Sequence, residues 1–206
     1  MGFRSTTTAL AALMCVAAIG CDSSGTAPTG TVPSLPGSTS SSASAAPTTT
    51  STDNKPVDYS RLLLQPADLS DDEDTFTEQS STPAGPDGLP GASALFVNQD
   101  DTRAISDTIV IYPDAETAAS TLEAALPTID QTVTGATSRP VPVGTHGTMA
   151  VGMSKDGSKA ATLLLFTEGP ALARLEFQSA PGDVTTDGFV LNIGKMQQIA
   201  LRTGLI

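Results

Sequence analysis

Only one stretch of this 206-residue chain has the means to fold. Residues 22–58 are almost entirely Ser, Thr, Pro, Gly and Ala, with runs such as Pro33-Ser34-Leu35-Pro36 and Ser38-Thr39-Ser40-Ser41-Ser42. A segment of this kind buries almost no apolar surface, so ordering it costs more conformational entropy than its contacts return. It reads as a disordered tether, and its composition also suits O-glycosylation. A flexible coil of about 35 residues has an r.m.s. reach of roughly 30–35 Å. Folding is therefore left to residues 59–206, one domain's worth of chain. That domain contains no cysteine. It has no disulfide to lean on, so a hydrophobic core must hold it.

The start of the chain explains why a tether is needed. Arg4 supplies a positive charge, residues 9–19 form an apolar run, and Gly20-Cys21 follows. A run this short cannot span a hydrocarbon core, which needs about 20 residues. Small residues directly before a cysteine are the layout of a bacterial lipoprotein signal peptide. The Cys21 thiol takes a diacylglycerol and the chain is cut between Gly20 and Cys21. Ala18 stands where Leu is usual, and Cys15 leaves with the peptide. An ordinary secretory signal cut elsewhere is the other reading. The expected organisation is a signal peptide over 1–20, a lipid-anchored tether over 21–58, and a single domain over 59–206. The expected location is the extracytoplasmic face of the cell membrane.

Charge and aromatic content narrow the partners. The formal net charge is −12, there is no Trp, and the two tyrosines are Tyr59 and Tyr112. Such acidity disfavours nucleic acid and peripheral binding to anionic lipid. The shortage of aromatics leaves no stacking platform for bases or sugars. The expected partners are the membrane, through the anchor, and a small-molecule or cell-wall ligand of unknown identity.

The domain reads as mixed α and β. Leu62-Leu63-Leu64 followed by Pro66 predicts a short helix or turn docking at its start. Strands are expected over 74–79, 92–98 and 105–112, the last rich in β-branched residues. Pro86-Asp87-Gly88 marks a turn, and Asp100-Asp101 a hairpin. Asp114 caps a helix whose apolar stripe is Ala115, Ala118, Ala119, Leu122 and Leu126, and Pro127 ends it. A short extended piece over 141–143 precedes a strand over 148–153. Asp156-Gly157 is a strong hairpin signal. Leu163-Leu164-Leu165-Phe166 predicts a strand covered on both faces. After the Glu168-Gly169-Pro170 turn, Ala171, Ala173, Leu175 and Phe177 alternate with Leu172, Arg174, Glu176 and Gln178. A last helix over 186–202 carries Phe189, Ile193, Met196 and Ala200 as its stripe. Gly194 inside it costs about 1 kcal/mol against Ala, which points to close packing. Short hairpins imply antiparallel pairing. The fold class is α+β: a single antiparallel β-sheet of about five to seven strands with helices packed against it.

Chemistry is sparse. His146, the one histidine, lies in Gly144-Thr145-His146-Gly147. Ser154 follows Gly152, but Asp156 stands where a second glycine would complete a nucleophile elbow. No Cys/His spacing fits zinc, and no Walker or dinucleotide glycine pattern is present. The acidic run Asp68, Asp71, Asp72, Glu73 and Asp74 is the best candidate site, since close carboxylates can hold calcium. The alternate-Asp loop with its central glycine is missing, so a solvated or helix-capping run is the commoner explanation. No catalytic, metal or cofactor residue is assigned.

Two phrases resemble known proteins. Leu62-Leu63-Leu64-Gln65-Pro66-Ala67-Asp68-Leu69 is similar to the start of PknH-like extracellular sensor domains. So is the strand-to-helix join Ile109-Val110-Ile111-Tyr112-Pro113-Asp114-Ala115-Glu116-Thr117-Ala118-Ala119. Such domains occur on receptor kinases and lipoproteins of mycobacteria and their relatives, and the match covers about residues 60–201. The resemblance implies an antiparallel sheet with flanking helices. Kinase-linked members carry disulfides and a cleft proposed for a ligand. This domain has no cysteine, and no site residue is carried over. The Cys21 region and the tether also resemble mycobacterial-type lipoproteins.

The reading is a lipid-anchored envelope protein whose exported domain acts as a binding or sensor-like module and is not an enzyme. The alternatives are a carrier with an apolar cavity for a lipid, and a hydrolase centred on His146. Metabolic labelling with an acyl analogue tests the anchor: wild type becomes labelled and Cys21→Ala does not. Equal labelling of both removes the anchor.

Overall fold

The computed structural model describes residues 57–205. Cys21, the apolar run and the tether up to residue 56 lie outside the described residues. Residues 57–205 form one seven-stranded antiparallel sheet in the order β1-β2-β3-β7-β6-β5-β4. The strands are β1 Phe76–Thr82, β2 Gly91–Asn98, β3 Ala104–Ile111, β4 Val133–Pro140, β5 Thr145–Ser154, β6 Ala160–Glu168 and β7 Ala171–Ser179. The helices are α1 Pro66–Leu69, α2 Ala115–Ala125 and α3 Asp187–Gly204.

Two meanders make the sheet. One runs β1 to β3 and the other β4 to β7, and they meet where β3 pairs with β7 from Ala104↔Gln178 to Ile111↔Ala171. The hairpin signals fall where expected. Asp101 (φ 56°) lies in the turn between β2 and β3, Gly157 (φ 71°) in that between β5 and β6, and Gly169 (φ 55°) in that between β6 and β7. The Asp114 side chain caps α2 by accepting from the Thr117 N–H at 2.7 Å. Leaving the strand, the chain needs that cap because the first helical N–H groups have no partner inside the helix. The α-helix stops before Pro127, and a 3-10 turn over Leu126–Gln131 carries the chain to β4.

The sheet has two unequal faces. On one, α3 and the segment holding Leu62, Leu63, Leu64 and Leu69 cover Phe96, Ile105, Ile109, Leu164, Phe166, Leu175 and Phe177. On the other, α2 covers a smaller cluster of Leu122, Ile129, Val133, Ala150, Ala161, Leu163 and Leu165. Strand β6 is buried on both sides, as its unbroken apolar run requires. Strand β7 alternates as expected: Leu175 and Phe177 are sealed, and Arg174 and Glu176 face the α2 side. The Phe177 ring meets Phe189 edge-on at 6.2 Å.

Ala115, expected on the apolar stripe of α2, is exposed at its first turn, and Ala118 and Leu122 are the buried residues of that helix. Three further details differ from the sequence reading. First, β4 had no predicted counterpart. Second, β1 starts at Phe76 and runs to Thr82, later than the 74–79 expected. Third, the buried line of α3 is Val190, Ile193, Gly194, Gln197 and Leu201. It is rotated from the predicted stripe, of which Phe189, Met196 and Ala200 are only partly buried. The reason is Gly194. A Cβ there would sit 2.4 Å from the Leu164 side chain, so the helix lies down on β6 along its glycine edge.

The two faces make opposite demands. Phe177→Ala deletes a sealed ring and is expected to cost about 3–5 kcal/mol. Leu95→Ala, on the α2 side of β2, is expected to cost about 1 kcal/mol or less, because Leu95 is 37% exposed. Urea melts of the two variants read the difference. Equal losses would place a further layer over β2.

Candidate functional site

The structure puts the residues singled out from sequence to local uses. Asp68 accepts from the Gln65 N–H at 2.8 Å and closes a capping box on α1. Asp71 accepts from the N–H groups of Glu73 at 2.9 Å and Asp74 at 2.8 Å. Those two bonds hold the Asp71 carboxyl below the usual range. Asp74 pairs with Arg103 at 3.1 Å and accepts from the Asn98 side-chain amide at 2.7 Å. Asp68 and Asp71 thus serve as capping and turn groups, and Asp74 as a partner of Arg103 and Asn98. Among the described residues no group of three or more His, Cys, Asp or Glu could hold a metal ion.

His146 and Ser154 sit at opposite ends of β5, roughly 25 Å apart at about 3.3 Å per residue. The nearest acid to His146 is Glu123, with Nδ1 to Oε1 at 3.9 Å. His146 has φ 56°, at the irregularity where the β5–β6 register shifts between Thr145 and Thr148. One type of bulge uses such a left-handed residue, and His adopts that region more readily than most. Next to it Gly147 passes so close to the Val143 carbonyl that a Cβ would lie 2.3 Å from its oxygen. The Gly-Thr-His-Gly phrase is the signature of this bulge.

A site that the sequence reading did not name lies on the α2 side of the sheet. Helix α2 packs on β5, β6 and β7. Beyond it the same face carries Ser93, Leu95 and Val97 of β2 and Ala104, Ser106 and Thr108 of β3, all half-buried or exposed. Directly opposite residues in an antiparallel pair share a face. Ala104, Ser106 and Thr108 therefore stand beside Gln178, Glu176 and Arg174, and these beside Ala161, Leu163 and Leu165. The β7 residues form a linked polar row. Arg174 donates to one Glu176 oxygen at 2.8 Å and Gln178 donates to the other at 2.8 Å.

This row is one wall of a shallow, open groove. Its other residues are Thr132, Ser154, Lys155, Asp156, Ser158 and Lys159, and its volume is about 710 Å³. The β5–β6 hairpin supplies most of them. Its turn is rigid because Asp156 Oδ1 accepts from the Ser154 hydroxyl at 2.6 Å, the Ser158 N–H at 3.0 Å and the Ser158 hydroxyl at 2.8 Å. The Ser154 hydroxyl bond, then the two from Ser158, pull the Asp156 carboxyl down to about 2. Ser154 Oγ in turn accepts from the Lys159 N–H at 3.0 Å. The groove thus offers fixed donors, acceptors and cations to solvent.

Other depressions are present among the described residues, one of them a shallow one of about 280 Å³ between Leu63, Leu64 and the Met196, Ile199 and Ala200 side of α3. A small cleft of about 110 Å³ lies between the acidic run, Arg103 and the start of α3. An open apolar depression of about 620 Å³ is lined by Val57, Tyr59, Pro83, Ala84, Leu89 and Pro90, among others.

One ionisable group is buried in the larger core. Asp107, on β3, faces the α3 side, where its Oδ2 accepts from the Leu64 N–H at 3.0 Å. Gln197 of α3 donates to the Leu62 carbonyl at 2.9 Å. These two bonds pin the first turn of the domain to the sheet and to α3. Asp107 Oδ1 and Gln197 Oε1 have no hydrogen-bond partner among the described residues. Burial pushes the Asp107 carboxyl up to about 7, against the opposing pull of the Leu64 N–H.

No family model and no curated relative matches this chain. Among solved structures, the extracellular domain of PknH from Mycobacterium tuberculosis shares its fold with a TM-score of 0.52. The two are 8% identical, over 72% of this chain and 98% of that one. The PknH-like sheet with flanking helices, implied by two short phrases of sequence, is therefore present at the level of fold.

Asp107 gives a pH test. Its folded pKa lies above the unfolded value of 3.8, so its contribution to stability is whole below about pH 4 and is lost as pH rises through about 7. Wild type should therefore lose urea resistance relative to Asp107→Asn between pH 4 and pH 8. Parallel midpoints for the two across that range would mean that Asp107 is not buried as described.

Proposed function

We propose that this protein is an exported, lipid-anchored module of the cell envelope that binds a small ligand in the groove beside β7. One observation carries the reading. Half of a well-packed sheet face is left uncovered, and its polar side chains are tied into a fixed row beside a rigid hairpin. Uncovered polar side chains that already hold one another in place need little ordering when a ligand arrives. Export rests on the signal layout before Cys21 and on the fold shared with an extracellular domain. Among the described residues no helix is long and apolar enough to cross a membrane. The role is binding rather than catalysis, because His146 supports a bulge and is remote from Ser154.

A carrier of hydrophobic ligand is the second reading. Its support is the apolar depression around Leu89, at the start of the domain. Against it, the Leu and Ile side chains that would line an interior cavity, among them Leu164, Leu175, Ile105 and Ile193, are packed in the larger core.

Native mass spectrometry of the protein purified from its own host separates the two. A co-purifying small molecule that Arg174→Ala loses and Leu89→Ser keeps is the expected result. The reverse pattern supports the carrier. A bare protein mass in wild type would contradict both.

A further inference from the structure

The cations of this protein are scarce, and their partners show which of them are available to a ligand. Asp and Glu outnumber Lys and Arg by 22 to 10 in the chain. Among the described residues, most arginines are occupied. Arg103 pairs with Asp74 and Asp183, Arg139 with Asp187, Arg174 with Glu176 and Arg202 with Glu168. Arg61 donates to the Gly204 carbonyl at 2.9 Å. Lys155, Lys159 and Lys195 form no ion pair among the described residues. Two of these three line the groove, while Lys195 is exposed on α3, which packs on the opposite face.

In an acidic protein an unpaired lysine has many carboxylates to choose from. Here the nearby carboxylates are already engaged. Asp156 accepts from Ser154 and Ser158, and Glu176 from Arg174 and Gln178. At the lysine end of the groove Lys155 and Lys159 stand against the single Asp156 carboxylate, which leaves a local excess of positive charge in a field of the opposite sign. The rest of the lining alternates donors and acceptors: the hydroxyls of Thr132 and Ser158, the Glu176 carboxylate and the Gln178 amide. It contains no aromatic ring on which a base could stack. Its volume of about 710 Å³ lies within the range of small-ligand sites.

We infer that the groove binds a small polyhydroxylated anion, with its carboxylate or phosphate held by Lys155 and Lys159 and its hydroxyls on the Arg174–Glu176–Gln178 row. This rests on the groove being the binding site. The sugar acid and the sugar phosphate share the chemistry, and the probes must separate them.

The experiment is amide NMR titration of the purified protein with glucuronate, with glucose 6-phosphate and with glucose. The expected result is saturable shifts at Lys155, Ser158 and Lys159 with one or both anions and none with glucose. The anion that binds identifies the source of the charge. Lys155→Gln combined with Lys159→Gln should weaken binding by about tenfold or more, and Lys195→Gln should leave it unchanged. Both lysines are on an exposed hairpin, so the double variant keeps its fold, which its unshifted core amides verify. Equal shifts with glucose, no shift with either anion at tens of millimolar, or full binding by the double variant would overturn the inference. The groove reading fails separately. If the co-purified ligand is lost from Arg174→Ala but kept by the lysine variant, the groove stands and the anion does not.

Discussion

Everything in this structure depends on the ladder between β3 and β7. It is the seam at which two meanders become one sheet, and each strand comes from a different part of the chain. With no cysteine in the domain, the seam is held by side-chain burial. Ala171, Ala173, Leu175 and Phe177 lock it from the α3 side, where Phe189 closes over the Phe177 ring. The first turn of the domain completes that layer through Leu62, Leu63 and Leu64. Its polar backbone is satisfied by Asp107 and Gln197, at the cost of burying a carboxyl.

The same seam creates the candidate site. Because the α3 layer supplies most of the core, the α2 layer has to cover only β5, β6 and part of β7. Period-two alternation puts Leu172, Arg174, Glu176 and Gln178 of β7 on that face, and α2 covers only the start of this row. Leu172, nearer α2, is apolar and packs against the smaller core. Farther along, the positions turn polar, and Arg174, Glu176 and Gln178 satisfy one another across the strand surface. The candidate site thus lies where folding makes little demand for apolar side chains on that face of the sheet.

Much of this was legible in the sequence. Asp156-Gly157 and Glu168-Gly169-Pro170 located two hairpins, the Leu163–Phe166 run located a doubly buried strand, and Gly194 foretold a helix lying close to the sheet. Strand β4 was not legible. It is an edge strand with Val133 as its one buried residue, it contains Pro140, and its register slips between Thr134 and Thr137. None of the apolar alternation that marks a half-buried strand survives there. Gln197 broke the helical stripe because a polar residue took a core position to serve the Leu62 carbonyl. The groove had no local signature at all. Its walls come from the chain before β4, the β5–β6 hairpin and β7, and only the fold brings these three together. His146 and the acidic run drew attention because they are chemically distinctive, yet their residue types serve a bulge, a cap and a turn.

The central claim is that β7 has one sealed face and one open face. Thiol labelling of single cysteines along the strand measures it directly, in a protein carrying Cys15→Ser and Cys21→Ser. Under native conditions Arg174→Cys and Gln178→Cys should react with maleimide at rates near those of an exposed thiol. Leu175→Cys and Phe177→Cys should react only as fast as the domain unfolds. Protection of all four, or equal reactivity at all four, would contradict the account.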